Sequence, residues 1–427
     1  MISSLHNLAR NLHKQGPILL LESQSSKHIW GRTSYLAAHP KALIKARGRD
    51  ITVIEEEEER FFEDNPWKAL QNFRKKHDDW LFGYLGYDLK NHIEDLSSSN
   101  SDPVQAPDLF FMIPGLLIEY QHATGECRKV IGELPEQGLW EGTGNETPTF
   151  QLTNLHPQVG STEYISKIKE VQHRIAEGDF YEINLSHQLK ADFNGNTFDL
   201  YRGMRQAGPV PFGVYLDFED ISICCQSPER FIRKEGNTVV SQPIKGTSPR
   251  GDNTPEDERL KQALADSQKE QAENLMIVDL VRNDLSKIAR RGTVEVPRLF
   301  EIQSFDTVHQ MVSTVRAEAD IDDPVAILKS CFPMGSMTGA PKISAMQAIE
   351  ELEEYRRGIY SGAIGYIHPN GDFDFNVVIR TAIITGNELF YAAGGAITGD
   401  SDPQKEWQET LVKTRALERA IAEPLKK

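Results

Sequence analysis

The second half of the chain carries strand-forming runs set close together. Residues 362–367, 375–385 and 388–393 follow one another with short intervening segments, which is how hairpins of an antiparallel sheet are written. Further strands are expected around 221–225 and 239–244, and helices fall between these groups. Strands in hairpin groups separated by helices predict an α+β fold.

Helical spacing appears at Ile165, Ile168, Val171 and Ile175, with Ser161 or Thr162 as the cap and Gly178 as the stop; a strand follows through Phe180, Ile183 and Leu185. Two longer helices are expected. One covers 256–289, interrupted near Arg282-Asn283-Asp284, and the other begins after Asp402, with Pro403 in its first turn, and continues to about 421. Between 132 and 160 the composition shifts to Gly, Pro, Thr, Asn and Gln, so this stretch reads as a connector between an N-terminal region, 1–131, and a larger region, 161–425. The glutamate run at 55–59 reads as a solvated surface.

Lys and Arg number 47 against 63 Asp and Glu, a formal charge of −16, which disfavours a nucleic-acid partner. An anionic substrate would then need local positive charge from Arg, Lys or a bound cation. Cys127, Cys224, Cys225 and Cys331 lack CxxC spacing, so neither a zinc site nor a disulfide framework is indicated. No apolar run of membrane-spanning length and no basic-then-apolar leader is read, and a cytoplasmic location is expected.

Glu270 and Glu273 are three apart on one long helix, Glu406 and Glu409 three apart on the other. Each pair projects from one helical face, and two such faces together would suit Mg²⁺; each pair taken alone is ordinarily a solvated face. In Gln242-Pro243-Ile244-Lys245-Gly246-Thr247 a lysine stands between a fixed-φ residue and a glycine. Such a lysine is nucleophilic only when neutral, and taken singly it is ordinarily a surface group. Gly394, Gly395 and Ala396 could bring backbone N–H groups to a phosphate or carboxylate. Arg380, expected in mid-strand, could grip a carboxylate or pair with the acidic surface. Neither GxGxxG nor GxxxxGK[ST] is present, so nucleotide use is not supported.

Taken together, these segments resemble the chorismate-utilising enzymes, the family that includes the anthranilate, isochorismate, salicylate and aminodeoxychorismate synthases. The resemblance rests on Gly178-Asp179-Phe180-Tyr181-Glu182-Ile183-Asn184-Leu185, Ser227-Pro228-Glu229-Arg230-Phe231, the lysine segment, Ala272-Glu273-Asn274-Leu275-Met276, Asp279-Leu280-Val281-Arg282-Asn283-Asp284, Val308-His309, Thr338-Gly339-Ala340-Pro341-Lys342 and Arg356-Arg357-Gly358-Ile359-Tyr360-Ser361-Gly362. In the first 130 residues it rests mainly on Leu20-Leu21-Glu22-Ser23. It implies a large two-lobed fold with antiparallel sheets packed together and helices outside, chorismate as substrate and Mg²⁺ as cofactor. Glu273 and Glu409 would bind the metal directly, Glu270 and Glu406 through water. The metal would hold the ring carboxylate, while Gly394, Gly395 and Ala396 meet a carboxylate, Arg380 and Tyr360 hold the enolpyruvyl side chain, and His309 and Thr338 line the ring pocket. Glu229 would be the general acid for the hydroxyl leaving ring carbon 4.

Lysine at 245, where anthranilate-forming members carry alanine, marks members that aminate chorismate to aminodeoxychorismate, a precursor of p-aminobenzoate and folate. The lysine would add covalently at ring carbon 2 and be displaced by ammonia. The chain has no Gly-x-Cys-x-Gly elbow, so ammonia would come from solution or from a separate glutaminase subunit. Position 182 is often glutamine in amine-forming relatives and lysine in water-adding ones; here it is Glu182, whose role the resemblance leaves open. Ala396 replaces a usual glycine. Pro211-Phe212-Gly213-Val214-Tyr215 lacks the run typical of tryptophan-inhibited members. The alternatives are an anthranilate-forming component I and a non-catalytic ligand sensor on the same fold.

Overall fold

The structure is a computed structural model describing residues 2–24, 33–56, 58–141 and 149–422. Glu57, part of the connector (142–148) and the end of the larger region (423–425) lie outside the described residues. The described chain forms 21 strands, all paired antiparallel, arranged as two sheet runs that share the long strand Leu109–Gln121.

The first run continues from that strand through Thr33–Arg47, Ile18–Glu22, Phe212–Phe218, Ile221–Ser227, Thr381–Thr385 and Glu388–Ile397 to Glu182–Gly195. The second passes through Leu81–Leu85, Ala363–Ile367, Phe373–Asn376, Arg230–Glu235 and Thr238–Gln242 to Val308–Glu318, which also pairs Ile244–Pro249 and Glu295–Ser304. The inner faces of the two runs meet in one apolar cluster, where Leu19, Val214, Ile223 and Ile383 of the first pack with Phe82, Tyr84 and Ile364 of the second. Helices cover the outer faces. Thr197–Ala207 and Pro403–Ala422 lie on the first run, and Pro66–His77, Gln268–Ser286 and Pro324–Cys331 on the second. This is the α+β arrangement the strand grouping implies. Strands from both sides of residues 132–160 interleave, and Phe150–Pro157 inside that stretch is itself a strand paired with Glu182–Gly195.

Several element bounds differ from the sequence reading for local reasons. The helix Ser161–Glu177 is capped by Gly160, without a side-chain cap bond, and stops at left-handed Gly178. The long helix does not break near Arg282; it breaks at Asp266-Ser267 into Thr254–Ala265 and Gln268–Ser286, because Ser267 Oγ accepts the Glu270 N–H and starts a new helix. Pro403–Ala422 begins as expected, with Asp402 Oδ1 accepting from Gln404 N and Lys405 N. The strand expected at 239–244 is cut at Pro243, which has no N–H for a ladder. The strand expected at 375–385 is cut too, into Phe373–Asn376 and Thr381–Thr385.

Those two cuts matter because the chain passes between the sheet runs at two neighbouring links. Pro228-Glu229 leads from Ile221–Ser227 to Arg230–Glu235, and residues 377–380 lead from Phe373–Asn376 back to Thr381–Thr385. The links are tied together, Val377 N donating to Glu229 O at 3.0 Å. Fully buried Arg357 fastens the floor beneath them: it forks onto Glu353 (2.6 and 2.8 Å) and donates to Met337 O (2.6 Å) and Asn184 O (2.7 Å). Removing it leaves the buried Glu353 carboxylate without its cation, held by the Ser186 N–H and hydroxyl, and takes a donor from two carbonyls. Arg357→Ala is therefore expected to cost about 3–5 kcal/mol of unfolding free energy in denaturant titration.

Candidate active site

Lys245 sits just before an irregularity in the ladder between Ile244–Pro249 and Val308–Glu318, where the register shifts between Lys245 and Thr247. Gly246 makes this bulge, with φ +79, and a Cβ there would meet Glu270 Oε2 at 2.8 Å. The left-handed φ favours glycine here, a Cβ would press only on the movable end of Glu270, and the bulge re-aims the preceding lysine off the regular pleat. Lys245 Nζ donates to Glu182 Oε1 at 2.7 Å, both side chains being buried. Burial favours the neutral amine, but the charge and hydrogen bond of Glu182, with Glu273 and Glu229 beyond it, outweigh burial and raise the lysine pKa. At rest Lys245 is an ammonium.

Glu229, in the first inter-sheet link, is 6% exposed. Burial pushes its carboxyl up to about 7, against partial relief from Ser336, Lys245, the Ile244 N–H and Arg380. A carboxyl half protonated at neutral pH is suited to giving a proton to a leaving group. Arg380, in the second link, is not in a strand as the sequence suggested; it holds a left-handed backbone, φ +52. A non-glycine residue there is strained. Burial lowers its pKa against the pull of Tyr391 and Glu229, and its side chain makes no hydrogen bond or ion pair among the described residues.

Gly394, Gly395 and Ala396 lie within Glu388–Ile397, opposite Ser186, Leu185 and Asn184. On the other side the pairing with Thr381–Thr385 ends at Tyr391, so this stretch has an unpaired edge. Tyr360 is buried, its phenol pushed up to about 12 by burial, with Arg357 over its ring at 5.8 Å. Thr338 turns its hydroxyl onto Met334 O and Gly335 O, and its carbonyl accepts from Asn184 N. Both ring nitrogens of His309 are engaged, Nδ1 2.8 Å from Ser304 Oγ and Nε2 2.9 Å from Asp257 Oδ1.

The four glutamates are only partly assembled. Glu273 and Glu406, from the two helices, flank one ammonium: Lys269 Nζ is 3.6 Å from Glu273 Oε1 and 3.9 Å from Glu406 Oε1. Glu406 Oε2 would lie 3.3 Å from a Cβ on Gly395, so glycine there lets the carboxylate approach the strand. Glu409 pairs with Lys413 at 2.9 Å, and Lys413 also donates to Gly394 O. Burial raises Glu273 to about 7 and raises Glu406 as well; Glu409 lies below its ordinary value because Lys413 outweighs burial. Among the described residues no three or more acidic, histidine or cysteine side chains already form a metal cage. The donors nonetheless fit a hard cation: all are carboxylate oxygens, two converge on one positive charge, and buried Glu273 Oε1 has no hydrogen-bond partner among the described residues.

Lys269 and Lys413 were missed in the sequence, although each stands four residues from a glutamate of the quartet, a spacing that pairs side chains on a helix. The Leu20-Leu21-Glu22-Ser23 and Pro211-Phe212-Gly213 segments meet elsewhere, lining a separate cleft with Tyr366 and Asn376. There His6, Arg205 and Tyr201 overcome the burial of Glu22 and hold its pKa down to about 2.

Residues 16–419 match the family of chorismate binding enzymes, and the chain belongs to that family. It is 33% identical to aminodeoxychorismate synthase component 1 of Escherichia coli, covering 93% of this chain and 92% of that one. It is also 33% identical to anthranilate synthase component 1 of Aquifex aeolicus, covering 94% and 89%. Among solved structures, anthranilate synthase component I of Streptococcus pneumoniae superposes with a TM-score of 0.79 at 27% identity, covering 92% of this chain and 93% of that one. No described helix is long and apolar enough to cross a membrane.

Proposed function

We propose that this protein aminates chorismate, as the large subunit of an aminodeoxychorismate synthase supplying p-aminobenzoate and folate synthesis, with ammonia from a separate glutaminase subunit. The observation that carries the reading is a buried lysine, Lys245, within the electrostatic reach of Glu229, a buried carboxyl that titrates near neutrality. On this reading Lys245 passes a proton to Glu182 and its nitrogen adds at ring carbon 2. The carbon 4 hydroxyl departs as water with the Glu229 proton. Ammonia then adds at carbon 4 as the bond from carbon 2 to the lysine breaks. Glu229 recovers a proton from the incoming nitrogen, and Glu182 returns its own to Lys245. Splitting one poor displacement into two easier ones is the gain of covalent catalysis.

Arg380, charged and without a partner among the described residues, and Tyr360 would hold the enolpyruvyl side chain; the unpaired edge at Gly394, Gly395 and Ala396 would meet a carboxylate, and His309 and Thr338 would shape the ring pocket. Bound Mg²⁺ would supply the positive charge that anchors the ring carboxylate. Glu273, Glu270, Glu406 and Glu409 would hold it, with Lys269 moving off the position between Glu273 and Glu406. Glu273→Ala is accordingly expected to raise the Mg²⁺ concentration for half-maximal rate by about tenfold or more in a metal titration.

The decisive assay incubates the protein with chorismate, Mg²⁺ and ammonium at raised pH and identifies the product by chromatography. Aminodeoxychorismate is expected. Fluorescent anthranilate as the main product overturns the assignment in favour of an anthranilate-forming component I, and chorismate binding without turnover would mark a sensor.

A further inference from the structure

Beside Lys245, buried oxygen atoms stand without donors. Glu182 Oε2 and Asn184 Oδ1 have no hydrogen-bond partner among the described residues, although their side chains belong to residues only 1% and 8% exposed. The two are separated by one residue on the strand Glu182–Gly195, so they share a face. Ile183 and Leu185 point the other way, into the apolar cluster around Ile168 and Val171. The other oxygen of Glu182 is spent on Lys245. The amide nitrogen of Asn184 donates to Ser336 O at 3.4 Å, which fixes the amide with its oxygen turned away from that carbonyl. Ser336, 7% exposed, supplies a third oxygen: its hydroxyl is turned toward Glu229 and makes no hydrogen bond of regular geometry.

The backbone that carries Asn184 and Ser336 is held in place. Asn184 N donates to Thr338 O at 2.7 Å, Asn184 O accepts from Arg357, and Ser336 lies in the short turn Gly335–Met337. Buried acceptors left unpaired cost stability, and several at one place call for a small donor. Chorismate offers one hydroxyl donor and is otherwise an acceptor. Ammonia offers three N–H donors and one lone pair.

We propose that Glu182, Asn184 and Ser336 form the subsite that receives ammonia, next to Lys245 and Glu229. Three acceptors take the three N–H groups, which leaves the lone pair free to attack the ring. The inference rests on the amination reading above, and Asn184 and Ser336 act here as positioning residues. It also gives the carboxylate at position 182 a second task, since one oxygen serves the lysine and the other the nitrogen donor.

The test is steady-state kinetics with ammonium chloride at fixed pH, varying free ammonia and chorismate separately, on the parent, Ser336→Ala and Asn184→Ala. Each variant is expected to raise KM for ammonia by about tenfold, the loss of one hydrogen bond to a small ligand, while KM for chorismate stays within about twofold. Ser336→Ala should melt like the parent, because its hydroxyl makes no regular hydrogen bond at rest. If the parent yields no aminated product, the amination reading falls and the subsite with it. If the parent aminates but both variants keep the parental KM for ammonia, or raise both KM values together, the subsite alone is wrong.

Discussion

Lys245→Ala is expected to reduce formation of the aminated product by roughly 10³-fold or more at saturating chorismate and ammonia, because the variant lacks the amine proposed to bond ring carbon 2. Loss of rate alone would not prove the role, since the substitution also breaks the buried ion pair with Glu182. A carboxylate left buried without its cation costs about 3–5 kcal/mol unless it takes up a proton. Lys245→Ala should therefore melt at lower temperature than the parent. Adding Glu182→Gln removes the stranded charge, so the double variant should recover most of the melting temperature and none of the amination. Stability and chemistry are thereby read separately on one pair of residues. A single variant that still forms aminodeoxychorismate within about tenfold of the parental rate would exclude covalent catalysis by this lysine.

The order of elements was legible wherever one short rule governed them. Asp402 and Pro403 open a helix because a carboxylate caps free N–H groups and a proline has none to waste, and Gly178 closes one because it accepts a left-handed backbone. The break at Ser267 was legible in principle, since Ser267 and Glu270 have the spacing of a capping pair, but the longer apolar periodicity masked it. The two inter-sheet links were not legible. Asn376 to Thr381 reads as continuous strand, and only the packing of one sheet on the other turns Arg380 out of the ladder. The proposed site is open to the same kind of reading. Lys245, Glu229 and Glu182 could be named, but that Lys245 and Glu182 bond depends on a bulge at Gly246 in one sheet and the first residue of a strand in the other. The unpartnered oxygens of Asn184 and Ser336 have no signature at all in a linear sequence, because they are defined by what does not touch them.

The pH dependence follows from Glu229. Its carboxyl titrates at about 7 in the protein without substrate, and kcat/KM for chorismate, measured at fixed free ammonia, reports the protein in that state. Glu229 must carry its proton to release the hydroxyl, and Lys245 must lose one to attack. Where the lysine proton goes decides the sign. If it passes to Glu182, 2.7 Å away, the reactive form holds as many protons as the resting form with Glu229 protonated. Then kcat/KM is level below about 7 and falls about tenfold per pH unit above it. If the proton is lost to water, the reactive form holds one proton fewer, and kcat/KM instead rises to about 7 and levels off. The short bond to Glu182 favours the first profile, and that is the expected result. Glu229→Gln should lose roughly 10²–10⁴-fold in kcat and, with it, the limb near 7. A rising profile would remove Glu182 as the proton acceptor and keep Glu229 as the acid; a profile level through 7 in the parent would remove Glu229.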